Sequence, residues 1–196
     1  MNVLYLFLQN GREQEALPTF NWVLKVLLSR AYLDGTRYYQ SPDIFLFFLT
    51  RLSGVIRSKN LLHQLTPPLT ARVQERVGAP GNAISLAARV IACKTLGINN
   101  DRDIEILKGM QCEDGSWPVE WVYRFASFGL DVGNRGLSTA FAVKAIQAPY
   151  GTLEMTSFQQ LSELSRSFGI PWNLPRFFLT FIKSIVSSLL GSVILN

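Results

Sequence analysis

Between residues 113 and 135 the sequence interleaves acids, a guanidinium and aromatic rings in a combination suited to carbocation chemistry. Glu113, Asp114, Glu120 and Asp131 supply carboxyl groups, Asn134 an amide and Arg135 a fixed positive charge. Trp117, Trp121, Tyr123, Phe125 and Phe128 lie among them. A carboxylic acid can protonate an olefin, and ring faces attract the cation that results by roughly 0.5–2 kcal/mol each. Asp114, Asp131 and Arg135 are the catalytic candidates on this reading, and Trp117, Trp121, Tyr123 and Phe128 would line the substrate cavity. The same residues have an ordinary structural reading. Asp before Gly forms turns, aromatics fill cores, and an arginine meets a carboxylate or a helix end.

Metal chemistry is poorly served by this sequence. Cys93, Cys112 and the single His63 match no zinc-ligand spacing, so neither a metal nor another cofactor is expected. The cysteines read as reduced, buried and inert, and His63 as a residue of the surface or the core edge. Basic residues outnumber acidic ones 19 to 14, but the surplus of five is spread along the chain, and no nucleic-acid partner is expected. Met1 to Leu8 is apolar without a basic leader, which reads as no secretory signal and gives a cytoplasmic or membrane-associated expectation. With 196 residues, 48% of them hydrophobic, the chain can fill one ordinary core.

The elements that must position these groups read as helices, making the chain all-α. Residues 2–8 suggest a short helix ending at Asn10–Gly11. After Pro18, Phe20, Val23, Leu24, Leu27 and Leu28 form one stripe at helical spacing, stopped by Asp34–Gly35. Ser41, Pro42 and Asp43 open a helix whose body, Ile44 to Leu52, is apolar on nearly every side and so belongs between neighbours. Thr66–Pro67–Pro68 starts another, and Asn82 caps the next, with Ile84, Ala87, Ala88, Ile91 and Ala92 on its inner face. Asp101 caps a helix through Lys108, and Ser138 or Thr139 stands near the start of the last one, Leu137 to Ile146. No alternation of period two is evident.

Leu33–Asp34–Gly35–Thr36 and Glu113–Asp114–Gly115–Ser116 each follow an amphipathic helix, at an offset of about 80 residues that suits stacked helical hairpins. Around the second copy, Gln111, Gly115 and Trp117 fall in the pattern Gln-x3-Gly-x-Trp, with Leu107 four residues ahead. This resembles the QW motif of squalene–hopene cyclases, oxidosqualene cyclases and related terpene cyclases. The segments Arg30 to Tyr39, Arg72 to Gly81 and Gly133 to Ala140 look like those of short fungal proteins of secondary metabolism with such repeats. Departures are visible: Ile106 and Asp103 stand where an aromatic and a small residue are usual, and the first copy has Ala31 and Arg37 in place of Gln and Trp.

The resemblance implies an α/α-toroid of helical hairpins over residues 1–147, in which the Gln ties helix ends and the Trp covers the next helix. These helices are too few to close a full barrel, which leaves an abbreviated member, a cavity completed by self-association, or a fold that encloses no substrate. It also implies a terpene-cyclase-like protein of secondary-metabolite biosynthesis acting on an apolar isoprenoid or polyketide-type molecule. Neither Asp-x-Asp-Asp nor Asp-Asp-x-x-Asp occurs, so a non-catalytic helical accessory protein is the alternative. Residues 148–196 read as a connector and an apolar helix. Residues 177–195 carry only Lys183 as a charge and are long enough to contact or cross a bilayer, or to dock on the core.

Overall fold

The computed structural model describes residues 1–35, 41–125 and 127–149. The expected apolar carboxy-terminal helix and residues 36–40, including Arg37, Tyr38 and Tyr39, lie outside the described residues. Those described form seven α-helices and one short hairpin: α1 Asn2–Gln9, α2 Glu13–Leu28, α3 Pro42–Ser53, α4 Lys59–Arg76, α5 Ala83–Thr95, α6 Asp101–Gly109, β1 Trp121–Phe125, β2 Leu130–Gly133 and α7 Arg135–Gln147. A 3-10 turn, Ala31–Asp34, follows α2.

Helix α5 is the centre of the packing, and every residue from Ala83 to Lys94 is buried. Its alanines at 83, 87, 88 and 92 let neighbouring helices approach closely, and α3 and α7 pack on it. Phe47 of α3 and Phe141 of α7 meet edge to face, with centroids 5.4 Å apart. A second layer, built from α1, α2 and α4, buries Leu4, Leu8, Phe20, Leu27, Leu65 and Leu69.

Several boundaries differ from the sequence expectation. Helix α2 begins at Glu13 and runs through Pro18, and α4 begins at Lys59 and runs through Pro67 and Pro68. Each proline deletes one backbone hydrogen bond, but the carbonyls it leaves free, at Gln14, His63 and Gln64, belong to exposed residues that water can satisfy. In α2 the stripe is Ala16, Phe20, Val23 and Leu27, while Leu28 is exposed.

Caps also moved. The Asn82 side chain accepts from the Ser85 N–H as expected, at 2.9 Å. Asn100, not Asp101, caps α6, its Oδ1 accepting from Asp103 N–H. Asn134 caps α7 through Leu137 N–H. Ser138 and Thr139, read as the start of α7, instead turn their hydroxyls back to accept from the N–H groups of Glu120 and Trp117. Asn82→Ala should cost about 1 kcal/mol, read as a lower urea midpoint with an unchanged slope.

The hairpin was not foreseen. Tyr123 pairs with Val132, Arg124 with Asp131 and Phe125 with Leu130, and a bulge between Trp121 and Tyr123 breaks the register. Two strands of five and four residues, interrupted by that bulge, are too short to display a clear period of two.

Candidate functional site

The turn after α6 is built from its own residues. Gly115 adopts φ +81°, a left-handed conformation suited to glycine, and its carbonyl accepts from the Gln111 side-chain amide at 2.8 Å. Asp114 accepts from both the N–H and the hydroxyl of Ser116, an Asx-type turn. Gly35 in the first copy likewise has a positive φ, at +70°. Trp117 is only 2% exposed, and its indole N–H donates to the Leu107 carbonyl at 2.7 Å, capping the end of α6. The ring therefore sits in the core, joining α6 to a turn that Thr139 ties to α7.

The three catalytic candidates fall into separate ion pairs. Arg135 reaches Asp114 at 2.9 Å, whereas Asp131 is held across the hairpin by Arg124 at 2.7 Å. All are exposed or nearly so. Hydrogen bonds from the Ser116 hydroxyl and N–H, helped by the charge of Arg135, hold the Asp114 carboxyl below the usual carboxylate range. The Arg124 hydrogen bond does the same for Asp131. Both groups are carboxylates at neutral pH, able to face a cation but poor proton donors.

The aromatic candidates divide between core and surface. Trp121 and Tyr123 are half-buried on β1, while Phe125 and Phe128 stack at 5.1 Å near the hairpin tip, Phe128 being 72% exposed. The Arg124 guanidinium lies 5.2 Å from the centroid of the Trp121 ring. Among the described residues, no group of three or more His, Cys, Asp or Glu side chains could hold a metal ion. Cys93 is buried, its thiol pushed up to about 11 chiefly by burial, whereas Cys112 is partly accessible. Iodoacetamide at pH 8 should therefore label Cys112 within minutes and leave Cys93 unmodified until denaturant is added, a difference that peptide mass spectrometry reads directly.

A constellation absent from the sequence expectation lies where the first turns of α3 and α6 and the middle of α5 meet the end of α4. Asp43, Arg76, Arg89 and Asp103 form one chain of ion pairs. Arg76 grips Asp43 through two bonds of 3.1 and 2.9 Å, and Arg89 donates to Asp43 at 3.2 Å, to Asp103 at 2.6 Å and to the Ala79 carbonyl at 2.6 Å. Arg89 is 1% exposed, and Asp43 and Asp103 are equally buried. Burial pushes the Asp103 carboxyl up, but hydrogen bonds from Arg89 and Asn100, the Arg89 charge and the Gly78 N–H more than reverse this and leave it low.

Beside this network opens a cavity of about 250 Å³, whose polar lining is Ser41, Asp43, Arg76, Asn82 and Ser85. Pro42, Ile44, Pro80, Ile84, Trp121 and Val122 complete it, so Trp121 is the one candidate ring that lines this opening. In the sequence Asp43 stood out only as the acid in a first helical turn, and Asp103 only as a departure from the motif. The partners 33 and 46 residues from Asp43 that make the network have no local signature.

No family model matches the chain, and no solved structure matches it. Among curated proteins, it is 47% identical over 146 residues to the drimenol cyclase drtB of Aspergillus calidoustus. That stretch covers 74% of this chain but 28% of the relative, so the chain spans less than a third of the length of the protein it matches. Over most of its length, the chain is terpene-cyclase-like in sequence.

Proposed function

We propose that this chain is a terpene-cyclase-like protein of secondary-metabolite biosynthesis that acts on an apolar, polyprenyl-type isoprenoid. The observation that carries the reading is the 47% identity to a drimenol cyclase over 146 residues. The tie from Trp117 to Leu107 supports the finer architectural part, a QW-like turn joining helical hairpins in a partial α/α-toroid over residues 1–147. In this reading residues 148–196 form a connector and an apolar helix that contacts the membrane through 177–195. No helix among the described residues is long and apolar enough to cross one.

Asp114 and Asp131, being carboxylates, serve as anions beside a cationic reacting system, and Arg135 positions the first of them. Trp121, Tyr123 and Phe128 offer ring faces to substrate, while Trp117 anchors the turn. The cavity is completed by material beyond these helices, from a second copy or from a longer cyclase architecture such as that of the relative.

The test is incubation of the purified chain with farnesyl diphosphate, alone and with the separately expressed remainder of the relative, followed by mass-spectrometric detection of cyclic products. A cyclic terpenoid formed in either mixture, and reduced at least tenfold by Asp114→Asn, supports the reading. No product in either mixture defeats it. A specific observation favours the non-catalytic accessory reading as second: the candidate carboxylates are exposed and ion-paired. Full turnover by the relative's remainder without this chain, together with specific binding of the chain, would favour that role.

A further inference from the structure

The cavity between the first turns of α3 and α5 has chemistry of its own. Its volume of about 250 Å³ lies just below the range of about 300–1,000 Å³ usual for drug-sized ligands, which limits an occupant to on the order of ten heavy atoms. The floor is rigid: Asp43 is fixed by Arg76 and Arg89, and Arg89 is itself fixed by Asp103 and the Ala79 carbonyl. Two arginines balance two aspartates there. A free anion would meet the Asp43 carboxylate, and a free cation would meet the Arg76 guanidinium, so a charged head gains little net attraction.

The hydroxyl groups of the lining offer something else. Ser41 and Ser85 share a hydrogen bond of 2.8 Å in which either hydroxyl can be the donor. Such a pair uses one proton internally and keeps a second proton and free lone pairs for a guest that both gives and takes a hydrogen bond. Pro42, Ile44, Ile84, Trp121 and Val122 add apolar lining with one aromatic ring. We propose that this cavity binds a neutral, compact amphiphile, an apolar body of about ten heavy atoms bearing one hydroxyl, with the hydroxyl on the Ser41–Ser85 pair and the body against Trp121 and Val122. The site shares Trp121 with the cyclase reading but does not depend on it, because a chain that turns over nothing can still hold such an alcohol.

The experiment is an NMR titration of the full chain with borneol, with camphor, which only accepts hydrogen bonds, and with geranyl phosphate. The expected result is saturable borneol binding that moves the Trp121 indole N–H and the Ile44 and Ser85 amides. Ser85→Ala should weaken it about two- to tenfold, the worth of one hydrogen bond. Val122→Asp, on the partly exposed hairpin, should weaken it more than tenfold while the amide spectrum remains that of a folded chain. Camphor should bind more weakly than borneol to the native chain. The proposal is overturned if borneol gives no saturable shift, if both variants bind it as the native chain does, or if geranyl phosphate binds more tightly. Terpenoid turnover in the preceding assay, whether present or absent, leaves each of these outcomes readable.

Discussion

Replacing Arg89 with methionine is expected to destabilise the fold by about 3–5 kcal/mol, the usual cost of leaving buried charges without their partner. Arg89 neutralises two carboxylates that are both essentially inaccessible, and it also satisfies the Ala79 carbonyl in the α4–α5 connection. Methionine preserves much of the side-chain volume, so the loss reports charge and hydrogen bonding more than a cavity. Domains of this size are typically stable by about 5–15 kcal/mol, so the variant should show a much lower urea midpoint or fail to fold. If it fails to fold, the triple variant Arg89→Met, Asp43→Asn, Asp103→Asn keeps the argument testable. Removing both charges along with their partner should recover a large part of the loss.

The same network fixes a dependence on pH. The Asp103 carboxyl has a lower pKa in the folded chain than in the unfolded one, so the unfolded chain binds its proton more readily. Its stabilising contribution is complete above the unfolded carboxylate range, near pH 4, and declines as the pH falls through the lower folded value. Urea midpoints measured from pH 6 down to pH 2.5 should fall more steeply for the native chain than for Asp103→Asn. Equal slopes would remove Asp103 from the account.

Trp117→Ala is the second large effect, an expected loss of about 3–5 kcal/mol, as for other buried aromatic truncations. The substitution empties a core position and removes one of the two donors to the Leu107 carbonyl, leaving it the Met110 N–H. Trp117→Phe keeps most of the apolar area and loses the indole N–H, so it should cost about 1–3 kcal/mol. Thermal unfolding of the two variants separates packing from capping. If the alanine variant melts within 2 °C of the native chain, Trp117 does not have the anchoring role assigned to it.

The Trp117 turn shows what a sequence can disclose. Gln111, Asp114, Gly115 and Ser116 interact within five residues of one another, so type and spacing alone announced a turn at Asp114–Gly115. Caps at Asn82 and the all-round apolarity of α3 were equally local. The prolines misled for a physical reason: a missing N–H matters little where the freed carbonyl meets water, and solvent exposure is a tertiary property. The hairpin was hidden by brevity and a bulge. At the site, Asp114 and Arg135 were both named as candidates, but that Arg135 would meet Asp114 while Asp131 met Arg124 depended on how the hairpin and α7 lie. The Asp43–Arg89–Asp103 network was least legible, because Arg89 sits among alanines and aliphatics on α5 and finds its carboxylates on two other helices.

The short reach of the Trp117 bond also bears on the order in which the chain organises. Closing the span from Leu107 to Trp117 restrains ten residues, whereas the Arg89 bond to Asp43 spans 46 and the Lys94 bond to Ala148 spans 54. Loop-closure entropy rises with that separation, so α6 and its turn can settle before the distant pairs are in register. The corner therefore costs less chain entropy to close than the docking of α3 and α7 on α5, so this turn can hold its shape with little help from the distant pairs.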